Sequence, residues 1–135
     1  MKKNNFIPFF VFLFLFFSCA PNCSKIVYNN GISTLNGKLY TGDCDSYFPN
    51  GKLNSKQSYK NGKDDGEWVF YFSNGNLKTK GFFKEGIRIG DWEYYYENGQ
   101  LWKEAHYVDG NKSGVWKTFN ESGLLIEEIT FEKSN

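Results

Sequence analysis

Three cysteines, one histidine and two knots of acidic side chains are what this 135-residue chain offers for chemistry. Catalysis needs such groups to converge in a pocket with tuned pKa values. His106 stands on the alternating stretch LWKEAHYV with no Ser or Cys nucleophile at a fixed partner spacing, and reads as a solvated face residue. Asp43 and Asp45 flank Cys44, and KDDGE gathers Asp64, Asp65 and Glu67. Neither knot has the ligand order or the glycine of a calcium loop, so both read as turn charges. Gly-x-Ser-x-Gly is missing from the sequence, and so are phosphate-binding glycine loops. The expectation is a protein that is not an enzyme and carries no metal and no cofactor. With 16 basic against 15 acidic residues and no basic stripe, nucleic acid is not an expected partner either.

The first residues set the compartment. MKKNNFIPFFVFLFLFFSCA opens on Lys2 and Lys3 and runs apolar from Phe6 to Phe17. Twelve helical residues rise about 18 Å, short of a hydrocarbon core of about 30 Å. A signal-peptide helix over 1–18 fits better than a transmembrane span. Ser18 before Cys19 resembles the lipobox of bacterial lipoproteins, although Phe16 stands where an aliphatic residue is usual. That resemblance implies a lipidated Cys19 and a cell-envelope protein anchored to a membrane through its N-terminal lipid. Ala20 after the Cys favours the outer membrane by the same resemblance. Loss of Lys2 and Lys3 leaves 14 basic against 15 acidic residues, too few to form a polybasic membrane patch.

Cys23 and Cys44 remain. In an oxidising compartment an even pair reads as a disulfide that clips a tether, 19–33, onto the start of the domain at 34–135. Two free thiols are the alternative, and spacing does not choose between them.

That domain is periodic. Gly42, Gly66, Gly90 and Gly114 fall at one step of 24 residues, as do Gly51, Gly75, Gly99 and Gly123. Trp68, Trp92 and Trp116 keep that step with Cys44 in the first copy, and Tyr59, Phe83, Tyr107 and Phe131 close the units. A fixed period of this length marks a repeat architecture. Aromatic, β-branched runs such as EWVFYF suit strands, and Asn50-Gly51, Asn74-Gly75 and Asn98-Gly99 predict two-residue type I′ hairpin loops. A longer link, EGIRIG, joins one hairpin to the next. On the return strand Leu77, Thr79, Gly81 and Phe83 share a face, and the small residue between large ones leaves room for a neighbouring ring. Trp68 and Tyr71 differ by three, so either a bulge intervenes or both faces carry aromatics. The fold class is all-β: an elongated antiparallel meander of tandem 24-residue hairpins, about eight strands, in four units over 34–135.

YKNGKDDGEWVFYFSNGNL and its copies resemble the variant MORN repeat, as found in the bacterial YwqK-type antitoxin family. The resemblance covers 36–131, with Cys44 in place of Trp in the first copy. It implies a non-catalytic β-repeat sheet that binds protein or membrane lipid, and links the chain to the antitoxin component of toxin–antitoxin pairs.

The aromatics are the candidate contact surface, with another protein as the expected partner and a polysaccharide or lipid as the alternative. Trp68, Trp92 and Trp116 are binding candidates too, although their recurrence is first explained by holding the sheet together. Trp102 stands where Asn54, Lys78 and Ile126 stand, and Tyr94 where Phe70 and Thr118 do. Large rings that the repeat does not demand are the sharper binding candidates.

Overall fold

The computed structural model describes residues 20–132. The expected signal-peptide helix and Cys19 lie outside them.

Aromatic runs punctuated by glycine turns form the expected meander. Its strands are β4 (Gly42–Tyr47), β5 (Leu53–Lys60), β6 (Lys63–Asp64), β7 (Gly66–Tyr71), β8 (Leu77–Lys84), β9 (Ile87–Tyr95), β10 (Leu101–Val108), β11 (Asn111–Phe119) and β12 (Leu125–Phe131). They pair antiparallel in chain order from β4 to β12, with short β6 beside β5. EGIRIG is not a long link. Glu85 and Gly86 make a two-residue turn, and Ile87 already begins β9.

Turn types at the two rims of the sheet exchange places relative to expectation. Asn61-Gly62, Glu85-Gly86 and Asp109-Gly110 have φ pairs of 50° and 77°, 50° and 85°, and 48° and 80°. These are the type I′ turns. At Asn50, Asn74 and Asn98 only the following glycine is left-handed, with φ of 80°, 100° and 89° for Gly51, Gly75 and Gly99. There Gly51 N donates to Phe48 O at 2.9 Å and Phe48 N to Lys52 O at 2.8 Å, which leaves three residues in the loop. A type I turn followed by a left-handed glycine fits that length, and a two-residue I′ turn does not.

The Asn side chains explain the choice. Asn50, Asn74 and Asn98 accept through Oδ1 from the amides of Lys52, Asn76 and Gln100 at 3.0, 2.8 and 2.8 Å. Through Nδ2 they donate to the carbonyls of Ser73, Glu97 and Glu121 in the next unit's loop, at 3.1, 2.9 and 3.3 Å. One residue type thus closes its own turn and ties successive loops into a ladder.

Register shifts sit just inside these loops, between Ser46 and Tyr47, Phe70 and Tyr71, and Thr118 and Phe119. The bulge therefore accounts for the Trp-to-Tyr interval of three.

The repeats make one sheet layer, and over most of it rings stand in for a second. Tyr40, Tyr59, Trp68, Phe83, Trp92, Tyr107, Trp116 and Phe131 succeed one another along one face. Their successive centroid separations are 5.7, 5.4, 5.0, 5.1, 6.2, 5.2 and 5.0 Å. Such ring pairs contribute about 0.5–1.5 kcal/mol each beyond area burial. Gly81 supplies the expected space: a Cβ there would meet Trp92 Cδ2 at 2.1 Å.

The segment read as a tether has structure of its own. A 3-10 turn (Cys23–Lys25) leads into β1 (Ile26–Asn29), β2 (Ile32–Leu35) and β3 (Lys38–Leu39), a three-stranded antiparallel sheet. It docks on the first unit where Ser33 N donates to Gly62 O at 2.7 Å and Tyr40 N to Ser33 O at 3.1 Å. Asp45 N donates to Pro21 O at 3.1 Å, and Asn22 pairs with Asp45 as a parallel bridge. Pro21 and Asn22 thereby cover the outer edge of β4, which would otherwise template strand pairing. Cys23 and Cys44 are bonded, with S–S at 2.11 Å and Cα–Cα at 5.1 Å. The bond is buried against Tyr40, Tyr59, Ile26 and Leu35.

Candidate aromatic binding surface

The recurring tryptophans are spent on the sheet. Trp68 Nε1 donates to Ser58 O at 2.9 Å and Trp116 Nε1 to His106 O at 3.1 Å, and both rings are partly covered by their neighbours. Trp92 is 3% exposed. It lies on Gly81, meets Phe83 edge-on, and has the Arg88 guanidinium 4.6 Å from its ring centroid. As a contact residue Trp92 is therefore corrected, because no partner can reach it.

Trp102 and Tyr94 are placed differently. β10 is irregular between Leu101 and Lys103 where it pairs with β9, and Trp102 falls in that irregularity. Its ring is 39% exposed. It rests against Tyr94 at 6.1 Å and Tyr96 at 6.2 Å, with Lys103 Nζ 5.2 Å from its centroid. Tyr96 is fixed in turn by its hydroxyl, which donates to Phe119 O at 3.0 Å. Burial, and beyond it the neighbouring Tyr107, push the Tyr94 hydroxyl up to about 12, so it stays a neutral donor at physiological pH. Beside this cluster an open groove of about 530 Å³ runs from Phe48 and Phe72 past Phe70 and Tyr94 to Arg88. Tyr96 and the groove phenylalanines escaped the sequence reading, in which the contact candidates were the recurring tryptophans and the rings that break the repeat, Trp102 and Tyr94.

On the other face His106 pairs across the strands with Asp91, Nδ1 to Oδ1 at 2.6 Å. Glu93, Glu104 and Lys117 line the same shallow pocket, and none of its lining residues is a Ser or Cys. Among the described residues no group of three His, Cys, Asp or Glu side chains is arranged to hold a metal ion. No helix of the described residues is long and apolar enough to cross a membrane.

No curated protein and no solved structure matches this chain. A family match is found instead: the MORN repeat variant fits residues 40–61, 64–85, 88–109 and 112–133. Each matched segment begins beside a two-residue turn and contains one strand, one Asn loop or its Asn120–Gly123 counterpart, and the return strand. MORN repeats occur in protein-interaction modules and are generally non-catalytic. With four successive copies covering most of its length, the chain belongs to the MORN repeat variant family.

Proposed function

We propose that this protein is a non-catalytic, lipid-anchored module of the cell envelope whose loop rim docks another protein. The observation that carries the reading is the Trp102 cluster, a ring 39% exposed at a place where the other units have Asn54, Lys78 and Ile126. Trp and Tyr anchors held by their own neighbours are the usual hot spots of protein contacts, because little side-chain freedom is lost when they bind. The bonded Cys23–Cys44 pair supports an oxidising compartment outside the cytoplasm. The leader and Cys19 support anchoring by lipid, with the outer membrane favoured by Ala20. Neutralisation of a toxin, which the YwqK-type resemblance implies, is one form that such a contact would take.

Capture from cross-linked envelopes, with Trp102→Ala beside the native protein, tests this. One co-purifying protein that the variant loses is the expected outcome. The same protein held equally by both would remove Trp102 from the interface, and capture of lipid or glycan alone would replace the protein reading.

A further inference from the structure

Two cations repeat with the fold at the rim opposite the Asn loops. Arg88 and Lys112 hold the same place in successive units, each directly across from the ring that closes the preceding strand, Phe83 and Tyr107. The Arg88 guanidinium stands 4.6 Å from the Trp92 centroid and 5.6 Å from that of Tyr107. Lys112 Nζ stands 4.8 Å from the Trp116 centroid and 5.2 Å from that of Phe131. Both side chains are exposed, and neither forms an ion pair among the described residues. Contact with a ring face holds a cation in position without neutralising it. The third and fourth units thus each present one positive charge held beside a pair of aromatic rings.

The first two units are the informative exceptions. Their equivalent residues are Tyr40 and Asp64, the latter across from Tyr59. There the N-terminal sheet closes over the cleft, so that Ile26, Tyr28 and Ser33 line it together with Asp64. The sign changes from acid to base where the cover of the N-terminal sheet ends.

The geometry points to a binding site for an acidic polysaccharide with one carboxylate per disaccharide. Successive units are two strands apart, about 9.5 Å, which is close to the length of one disaccharide in an extended β-linked glycan. One cation from each of these two units would meet one carboxylate per disaccharide, and the half-buried Tyr107, Trp116 and Phe131 offer apolar ring surface to the sugar C–H groups, whereas Trp92 is covered. Nucleic acid fits less well, because its charges lie about 3.4 Å apart along each strand of a duplex. This site adjoins the Trp102 cluster, since Arg88 and Tyr94 line one groove, yet it goes beyond the protein contact proposed above and does not depend on it.

The test is calorimetric titration of the full chain in detergent with hyaluronan oligosaccharides, which alternate glucuronate with N-acetylglucosamine. Chitin oligosaccharides of equal length supply the uncharged comparison. Saturable binding of hyaluronan that weakens with salt is expected, with chitin at least about tenfold weaker. The double variant Arg88→Gln, Lys112→Gln should lose at least about tenfold in affinity for hyaluronan. Its melting temperature should change little, and Arg88→Lys with Lys112→Arg should restore most of the binding. Absent binding, equal binding of chitin, or an unchanged affinity in the double variant would each overturn the proposal. So would binding of anionic vesicles, or of a duplex DNA of similar length, by a chain that ignores hyaluronan.

Discussion

Adding one methyl group at Gly81 probes how the ring spine is packed. A Cβ there would lie 2.1 Å from Trp92 Cδ2 and 2.3 Å from Cε2. Ordinary carbon contacts need about 3.5–4.0 Å, so the indole must retreat by more than about 1 Å. Gly81 sits within β8 opposite Trp68, where the backbone has little room to yield. Retreat loosens the contacts of Trp92 with Phe83 and Tyr107, at 5.1 and 6.2 Å. Overpacking of this kind costs about 1–3 kcal/mol, and each ring pair at risk is worth about 0.5–1.5 kcal/mol. One gain offsets part of the loss. Trp92 Nε1 is buried without a hydrogen-bond partner, whereas Trp68 and Trp116 donate to the carbonyls of Ser58 and His106. The equivalent acceptor for Trp92 is the Phe82 carbonyl, and a lifted ring that reached it would recover about 1 kcal/mol. Gly81→Ala is therefore expected to destabilise the protein by about 1–3 kcal/mol, read from urea unfolding tracked by tryptophan fluorescence. An unchanged or raised midpoint would show that Trp92 does not rest on Gly81.

Asn74→Ala removes the cap on Asn76 N and one of the two bonds to Glu97 O, the other coming from Asn76 Nδ2, and should cost about 1–2 kcal/mol in the same assay; a cost near zero would mean that Asn76 and water suffice to hold the rung. Reduction of Cys23–Cys44, a separation of 21 residues, should cost about 3 kcal/mol by the chain-entropy estimate and loosen the N-terminal sheet first; equal melting with and without reductant would count against the clip. Burial, with Asp64 and Tyr40 adding to it, pushes the Tyr59 hydroxyl up to about 12 from 10.0, so the folded state favours the neutral phenol. That contribution is complete below pH 10 and is lost as pH rises through about 12, and Tyr94 and Tyr95 act in the same sense. Unfolding midpoints should fall over that window, and less steeply in Tyr59→Phe; an equal slope in the variant would remove Tyr59 from the effect.

The repeat made the sheet legible, because a strict period reports which positions every unit must fill. Trp68, Trp92 and Trp116 with Phe83, Tyr107 and Phe131 were readable as structural rings for that reason. The turn types were not. Asn-Gly appears at both rims, at Asn61-Gly62 as well as Asn74-Gly75, and the dipeptide alone does not say which loop has two residues and which three. The difference lies in the number of residues between paired strand ends and in the bond from the Asn side chain to the amide two positions on. The N-terminal sheet escaped because β1 to β3 are too short and polar to show a period, and because Asn30-Gly31 and Asn36-Gly37 lie outside the repeating frame. Arg88 and Lys112 were hidden by their partner Asp64, since a position occupied by both signs of charge looks unconstrained until the cover over Asp64 is seen.

A division of labour separates the rings that recur from those that do not. Equilibrium unfolding of Trp92→Ala beside Trp102→Ala tests it most directly. Loss of the buried Trp92 should cost about 3–5 kcal/mol, and loss of the exposed Trp102 less than about 1 kcal/mol. Equal costs, or a larger one for Trp102, would place Trp102 among the rings that hold the sheet and contradict its role as a contact residue.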